Sequence, residues 1–156
     1  MGFDVYGKRK ETYFRNSVWY WKPLWNYVAT TCNLSDTDAE AGLYNGGYAI
    51  SKDKADMIAE TLFKELKANR TQTYDLKYKK RINNLPYATC KLCNGTGVRD
   101  DTYLKGDCNA CNTERTRLEG IPIGKELQWE ASYPFEVDNV KEFAEFCKES
   151  GGFKIC

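Results

Sequence analysis

The sequence predicts an α+β fold, mostly helical, in one small domain that carries an inserted four-cysteine segment. Three observations lead there. Apolar residues recur at helical spacing in several segments, short extended stretches lie at both ends, and two Cys-x-x-Cys pairs fall between two of the helical segments. With 156 residues, 42% apolar and 29% charged, the chain can bury one core but not two large ones. The expected boundaries are an aromatic-rich helical body over 1–86, the cysteine insert over 87–118, and a helix and strand over 119–156 that complete the body.

Residues 1–22 are rich in aromatic and basic groups without a clean period, which reads as extended chain with a turn near Gly7 and Lys8. Pro23 suits the first turn of a helix, and Leu24, Trp25, Tyr27, Val28 and Cys32 continue it over 23–32. Asp36, Asp38 and Glu40 resemble half a calcium loop, but Ala41 and Gly47 stand where its glycine and glutamate belong. The carboxylates instead start a short helix, favoured by its dipole. An Asn45-Gly46-Gly47 turn joins short apolar arms, and Ser51 caps the next helix, in which Ala55, Ile58, Ala59, Leu62, Phe63 and Leu66 form one apolar stripe. Gly46-Gly47 lacks the Gly-Lys-Ser/Thr ending of a phosphate cradle.

Tyr74, Tyr78, Ile82 and Leu85 place another helix before Pro86, its outer face holding Lys77, Lys79, Lys80 and Arg81. Beyond the cysteines, Gly120, Pro122 and Gly124 mark a loop. Val140, Phe143, Ala144 and Cys147 mark a closing helix over 139–149, started by Asp138 and ended by Gly151-Gly152, and Phe153 and Ile155 alternate like a strand. Trp19, Trp21 and Trp25, beside helix-forming segments, are expected to pack the core as a set.

Charge and composition narrow the function. The net charge is +1, but it is unevenly spread: residues 1–50 balance, 51–100 carry 11 basic against 6 acidic groups, and 101–156 carry 7 against 11. An anionic partner should therefore meet the middle. The chain has no histidine, which excludes Ser-His-Asp and Cys-His catalysis and the commonest catalytic zinc ligand. No apolar run approaches the ~18 residues of a membrane span, and no secretory signal or lipidation start is recognisable; a cytoplasmic location, bacterial or in an infected host, is expected.

Seven cysteines in a reducing compartment point to metal before disulfides. Cys90 and Cys93, then Cys108 and Cys111, form two pairs with 14 residues between them, close to the spacing of an inserted four-cysteine zinc ribbon. Asn94-Gly95-Thr96-Gly97 suits a tight knuckle whose amides approach the thiolates. Four thiolates close the coordination sphere, so the expected cofactor is one structural Zn²⁺ per chain with no position for an activated water. A redox dithiol would need an exposed, low-pKa cysteine at a helix start, which the glycine turns argue against. Cys32 and Cys147 fall on apolar helix faces as small buried hydrophobes.

Cys90-Lys-Leu-Cys93-Asn-Gly95-Thr-Gly97 resembles the CxxCxGxG element of the zinc domain of DnaJ-type co-chaperones, though the second pair has no glycines and only two such pairs occur. This local resemblance implies a knuckle, not chaperone activity. Met1-Gly-Phe-Asp-Val-Tyr-Gly7, Tyr13-Phe-Arg-Asn16, Gly42-Leu-Tyr-Asn-Gly-Gly47, the cysteine pairs, Tyr133 to Phe146 and Ser150 to Ile155 together resemble an uncharacterised family of small bacterial and bacteriophage proteins. That resemblance implies a prokaryotic or phage origin and one integrated fold.

The expected function is that of a non-enzymatic, zinc-stabilised binding protein, a phage or mobile-element accessory protein whose protein partner is a host defence complex that it inhibits. The alternative is a nucleic-acid or nucleotide-binding module using the basic helix face and the opening aromatics. Candidate partner-binding residues are Lys77, Lys79, Lys80 and Arg81, then Arg15 and Trp19.

Overall fold

The structure, a computed structural model, describes residues 1–156. The fold is α+β, and the chain divides into two compact units: unit 1 comprises Met1–Lys80 and Tyr133–Cys156, and unit 2 comprises Arg81–Ser132. The unit around the cysteines is thus wider than the 87–118 insert read from the sequence. The strand pairing described below recruits residues on both sides of that range.

Unit 1 opens with a hairpin of β1 (Gly2–Gly7) and β2 (Tyr13–Ser17), in register from Gly2 opposite Ser17 to Tyr6 opposite Tyr13. Helix α1 (Val18–Thr31) follows without a loop. It starts five residues before Pro23, because the Ser17 hydroxyl caps it by accepting from the Tyr20 N–H at 3.4 Å. Pro23 therefore lies inside the helix, where it forgoes one backbone bond. Trp21 and Trp25, on either side of it, are fully buried, and that packing holds the segment helical.

The short helix α2 (Asp36–Ala41) leads to β3 (Tyr48–Ile50), α3 (Lys52–Lys67), capped by the Ser51 hydroxyl, and α4 (Arg70–Asn83). The Asn45-Gly46-Gly47 turn does not close a local hairpin, since its second arm pairs with a distant strand.

In unit 2 a two-stranded ladder joins β4 (Ala88–Thr89) to β7 (Lys125–Glu126), and a hairpin joins β5 (Val98–Asp100) to β6 (Lys105–Asp107). Helix α5 (Glu114–Leu118) lies between them in sequence, and a 3-10 turn over Trp129–Ser132 ends the unit. Back in unit 1, α6 (Val137–Ser150) precedes β8 (Phe153–Ile155). Asp138 lies in the first turn of α6 and does not cap it, whereas Gly151 ends it in a left-handed conformation at φ 65°, as expected of a glycine stop.

The unit 1 sheet is antiparallel in the order β2-β1-β8-β3. Its inner face contributes Phe3, Val5, Phe14, Ile50, Phe153 and Ile155 to one core, into which α1 sends Trp21, Leu24, Trp25 and Val28. Helix α3 packs along α6. The expected α3 stripe is buried at Ala55, Ile58, Ala59 and Leu62, with Phe63 and Leu66 half-buried at its edge, and Val140, Phe143, Ala144 and Cys147 of α6 are all buried. Trp19 departs from the expected tryptophan set. It is about half exposed, its ring 5.2 Å from Tyr133.

Asp38 is a buried carboxylate whose role the sequence did not reveal. Lys54 donates to both of its oxygens at 2.7 and 2.6 Å, the Tyr48 hydroxyl donates at 2.9 Å and the Ser35 hydroxyl at 2.7 Å. Burial pushes its pKa up, but hydrogen bonds from Lys54, Ser35 and Tyr48 outweigh this, leaving it below the ordinary value of 3.8. A folded pKa below the unfolded one contributes stability that is complete above the unfolded value and is lost as the pH falls through the folded value. Asp38→Asn is therefore expected to cost about 1–3 kcal/mol near neutrality. In urea melts its deficit relative to the unaltered chain should shrink as the pH drops below about 4; a deficit independent of pH would contradict this assignment.

Candidate metal centre

The centre is built by backbone turns. Cys90 follows directly on β4, and its N–H donates to the Gly124 carbonyl at 2.9 Å, which ties the first knuckle to the chain entering β7. The chain then turns back on itself: the Gly95 N–H donates to the Cys90 carbonyl at 3.2 Å and the Thr96 N–H to that of Cys93 at 3.1 Å. The Gly97 N–H reaches the Cys93 Sγ at 3.2 Å from a positive φ of 76°. This is the thiolate approach expected of that glycine. Gly124, at φ 80°, is a glycine whose part the sequence did not reveal: a Cβ there would stand 2.1 Å from the Gly95 carbonyl oxygen.

The second knuckle is held differently. The Cys108 N–H donates to the Gly97 carbonyl at 2.9 Å, and the Asn112 side-chain amide donates to the same oxygen at 3.2 Å. Instead of glycines, Thr113 follows, its hydroxyl accepting from the Thr116 N–H at 3.2 Å to cap α5. Both knuckles therefore converge on Gly97.

Cys90, Cys93, Cys108 and Cys111 are all buried, and their sulfurs lie within 4.8 Å of one another. Cys90 and Cys108 are 3.9 Å apart and Cys93 and Cys111 3.5 Å. A tetrahedral tetrathiolate with metal–sulfur bonds of ~2.3 Å requires sulfur separations of ~3.8 Å. The four sulfurs thus fit one metal ion, and none is paired as a disulfide. Without a cation, Cys93 and Cys111 are driven in opposite directions. Burial pushes Cys93 up, but the Gly97 N–H, the Cys111 and Cys90 thiols and the Gly95 N–H outweigh it and bring it down to about 6, whereas Cys111 is pushed up to about 12 by burial and the neighbouring thiols. A bound dication removes this conflict.

The other cysteines lie elsewhere. Cys32 and Cys147 are buried in unit 1, as expected of small hydrophobes, and burial pushes Cys32 up to about 12 and Cys147 well above its ordinary value. Cys156 is partly exposed.

Of the candidate partner-binding residues, four lie on α4, one on β2 and one in the first turn of α1. On α4, Lys79 bonds Asp75 at 3.0 Å and lies 4.0 Å from Glu136, and Arg81 bonds Glu130 at 3.1 Å. Lys77 and Lys80 are exposed on the same helix. Arg15 lies on β2, 3.7 Å from Asp4, and Trp19 opens α1.

No helix is long and apolar enough to cross a membrane. Comparison with family models, curated proteins and solved structures returned no match.

Proposed function

We propose that the chain is a non-enzymatic binding protein whose unit 2 is folded around one structural Zn²⁺ and engages a protein partner. One observation carries this reading: apart from the four cysteines, the only buried apolar side chain between Arg81 and Ser132 is Ile121. A unit of that size cannot offset its conformational entropy with so small a core, and metal binding supplies the missing folding free energy. The two-knuckle spacing favours zinc among the ions that accept four thiolates. Cys90, Cys93, Cys108 and Cys111 would hold it, and four protein ligands leave no coordination position for a reacting water.

The same unit exposes much of its apolar side-chain content. Leu92 sits inside the first knuckle, Val98 just beyond it, and Ile123 against Gly97, each more than half exposed. Apolar side chains held outward by a metal-stapled turn suit a protein surface better than a nucleic acid. The resemblance of the opening and closing segments supports a phage or mobile-element accessory role in a bacterial cytoplasm, and inhibition of a host defence complex is the form of binding we favour.

Affinity capture from host lysate tests this. The zinc-loaded chain is expected to retain a discrete protein that the double variant Leu92→Asp, Ile123→Asp releases, with metal content unchanged. Capture of the same protein in equal yield by the variant would contradict a partner site on unit 2.

A further inference from the structure

In unit 1 one set of alternate strand residues, among them Phe3, Val5, Phe14 and Phe153, lies in the core, and the residues between them form a second, largely exposed face within that unit. Register places Tyr13, Tyr6, Lys154 and Ala49 in one row across β2, β1, β8 and β3, with Arg15 and Asp4 in the adjacent row. At a strand spacing of about 4.8 Å the row is about 14 Å wide. Tyr6 and Tyr13 are 51% and 49% exposed, their centroids 5.3 Å apart. The Tyr13 hydroxyl donates to Asp4, which also pairs with Arg15, so the ring is held in place and the one carboxylate on the face is neutralised.

We propose that this face binds single-stranded nucleic acid, with Tyr6 and Tyr13 as stacking platforms and Lys154, Arg15 and the β1–β2 turn as phosphate contacts. Charge selects the occupant. The face and the turn beside it carry Lys8, Arg9, Lys10, Arg15 and Lys154 against Asp4 and Glu11, all but Asp4 exposed. The groove between the start of β2 and α6, which Tyr13 also lines, carries Glu11, Glu142, Glu145 and Glu149, so the Tyr13 edge is the acidic border of the face and a polyanion is steered towards Tyr6, Lys154 and the basic turn. No aliphatic side chain larger than Ala49 lies on the face, so it lacks the apolar centre of a protein-docking surface, whereas exposed rings bordered by cations match base stacking with backbone neutralisation. Asp4 is a positioning residue for Tyr13. This site is independent of the metal centre, and either can fail without the other.

The test is fluorescence anisotropy with fluorescein-labelled dT15 and the full-length, metal-loaded chain at low salt. Saturable binding is expected, weakening steeply with salt and weaker for a duplex of the same length. The double variant Tyr6→Ala, Tyr13→Ala should bind about tenfold more weakly, Tyr6→Phe should retain affinity because its ring persists, and Tyr13→Phe, which keeps the ring but loses the bond to Asp4, should fall between them. Lys154→Glu should weaken binding and flatten its salt dependence. In the unaltered chain the ring protons of Tyr6 and Tyr13 should shift on titration with dT15, a readout that needs no variant to fold. Absence of binding, unshifted tyrosine rings, or a loss produced only by Lys77→Glu, Lys80→Glu on α4 would overturn the assignment.

Discussion

Cys90→Ser is expected to lose the metal and the order of unit 2 together. Cys90 contributes a sulfur 3.9 Å from that of Cys108 and an N–H to Gly124, and is fully buried. A hydroxyl in its place is a poor ligand for a soft site, and apparent free energies of about 10–16 kcal/mol for structural zinc show how much folding energy such a centre can hold. Amide exchange over residues 88–126 should rise to nearly unprotected rates. Unit 1 has its own core of 22 buried residues and should keep its cooperative melt. Retained protection around Gly97 in a metal-free Cys90→Ser chain would show that unit 2 folds by packing alone.

Trp21→Ala should cause the largest loss of stability in unit 1. Its indole is fully buried, stacked between Phe3 at 5.2 Å and Trp25 at 5.5 Å, with the edge of Phe143 at 5.7 Å. Its Nε1–H donates to the Gly42 carbonyl at 2.8 Å, joining α1 to the end of α2. Removing the ring opens a cavity at a cost of about 3–5 kcal/mol, and the orphaned carbonyl adds about 1 kcal/mol more. Against a total of about 5–15 kcal/mol this approaches global unfolding. Trp21→Phe should retain about half of the difference, and urea midpoints followed by circular dichroism measure both. A midpoint for Trp21→Ala close to that of the unaltered chain would mean the stack does not anchor the core.

The parts of the fold that were legible in the sequence are those written in local periodicity. The α3 stripe from Ala55 to Leu62 and the α6 stripe from Val140 to Cys147 are buried as their spacing requires, because one apolar face must find the core whatever surrounds it. The cysteine tetrad was legible for a similar reason: ligand identity and spacing restrict how the chain can close. What the sequence hid is long-range. Nothing near Phe153–Ile155 announces that this short strand pairs with both β1 and β3, or that the arm after Gly47 has its partner there. Pro23 disguised the start of α1, since proline favours a first turn and only the packing of Trp21 and Trp25 reveals the helix continuing through it. Asp38 looked like a helix-start charge, yet it is enclosed by Lys54, Tyr48 and Ser35 from separate elements. Trp19 resembled its two neighbouring tryptophans in composition alone, and helix geometry turns it away from them.

The two proposed binding surfaces differ in chemistry. The cysteine turns of unit 2 leave aliphatic side chains exposed, and the exposed sheet face of unit 1 holds paired rings among cations. The first of them presupposes that the cysteines are thiolates around a metal and not disulfides. The most direct measurement is metal content with thiol state: elemental analysis of the purified chain, with alkylation and mass spectrometry of the same sample. The expected result is one zinc per chain, every one of the seven cysteines alkylated after denaturation, and unchanged metal in Cys156→Ser. No stoichiometric metal, or two disulfides among Cys90, Cys93, Cys108 and Cys111, would contradict a zinc-stabilised unit 2.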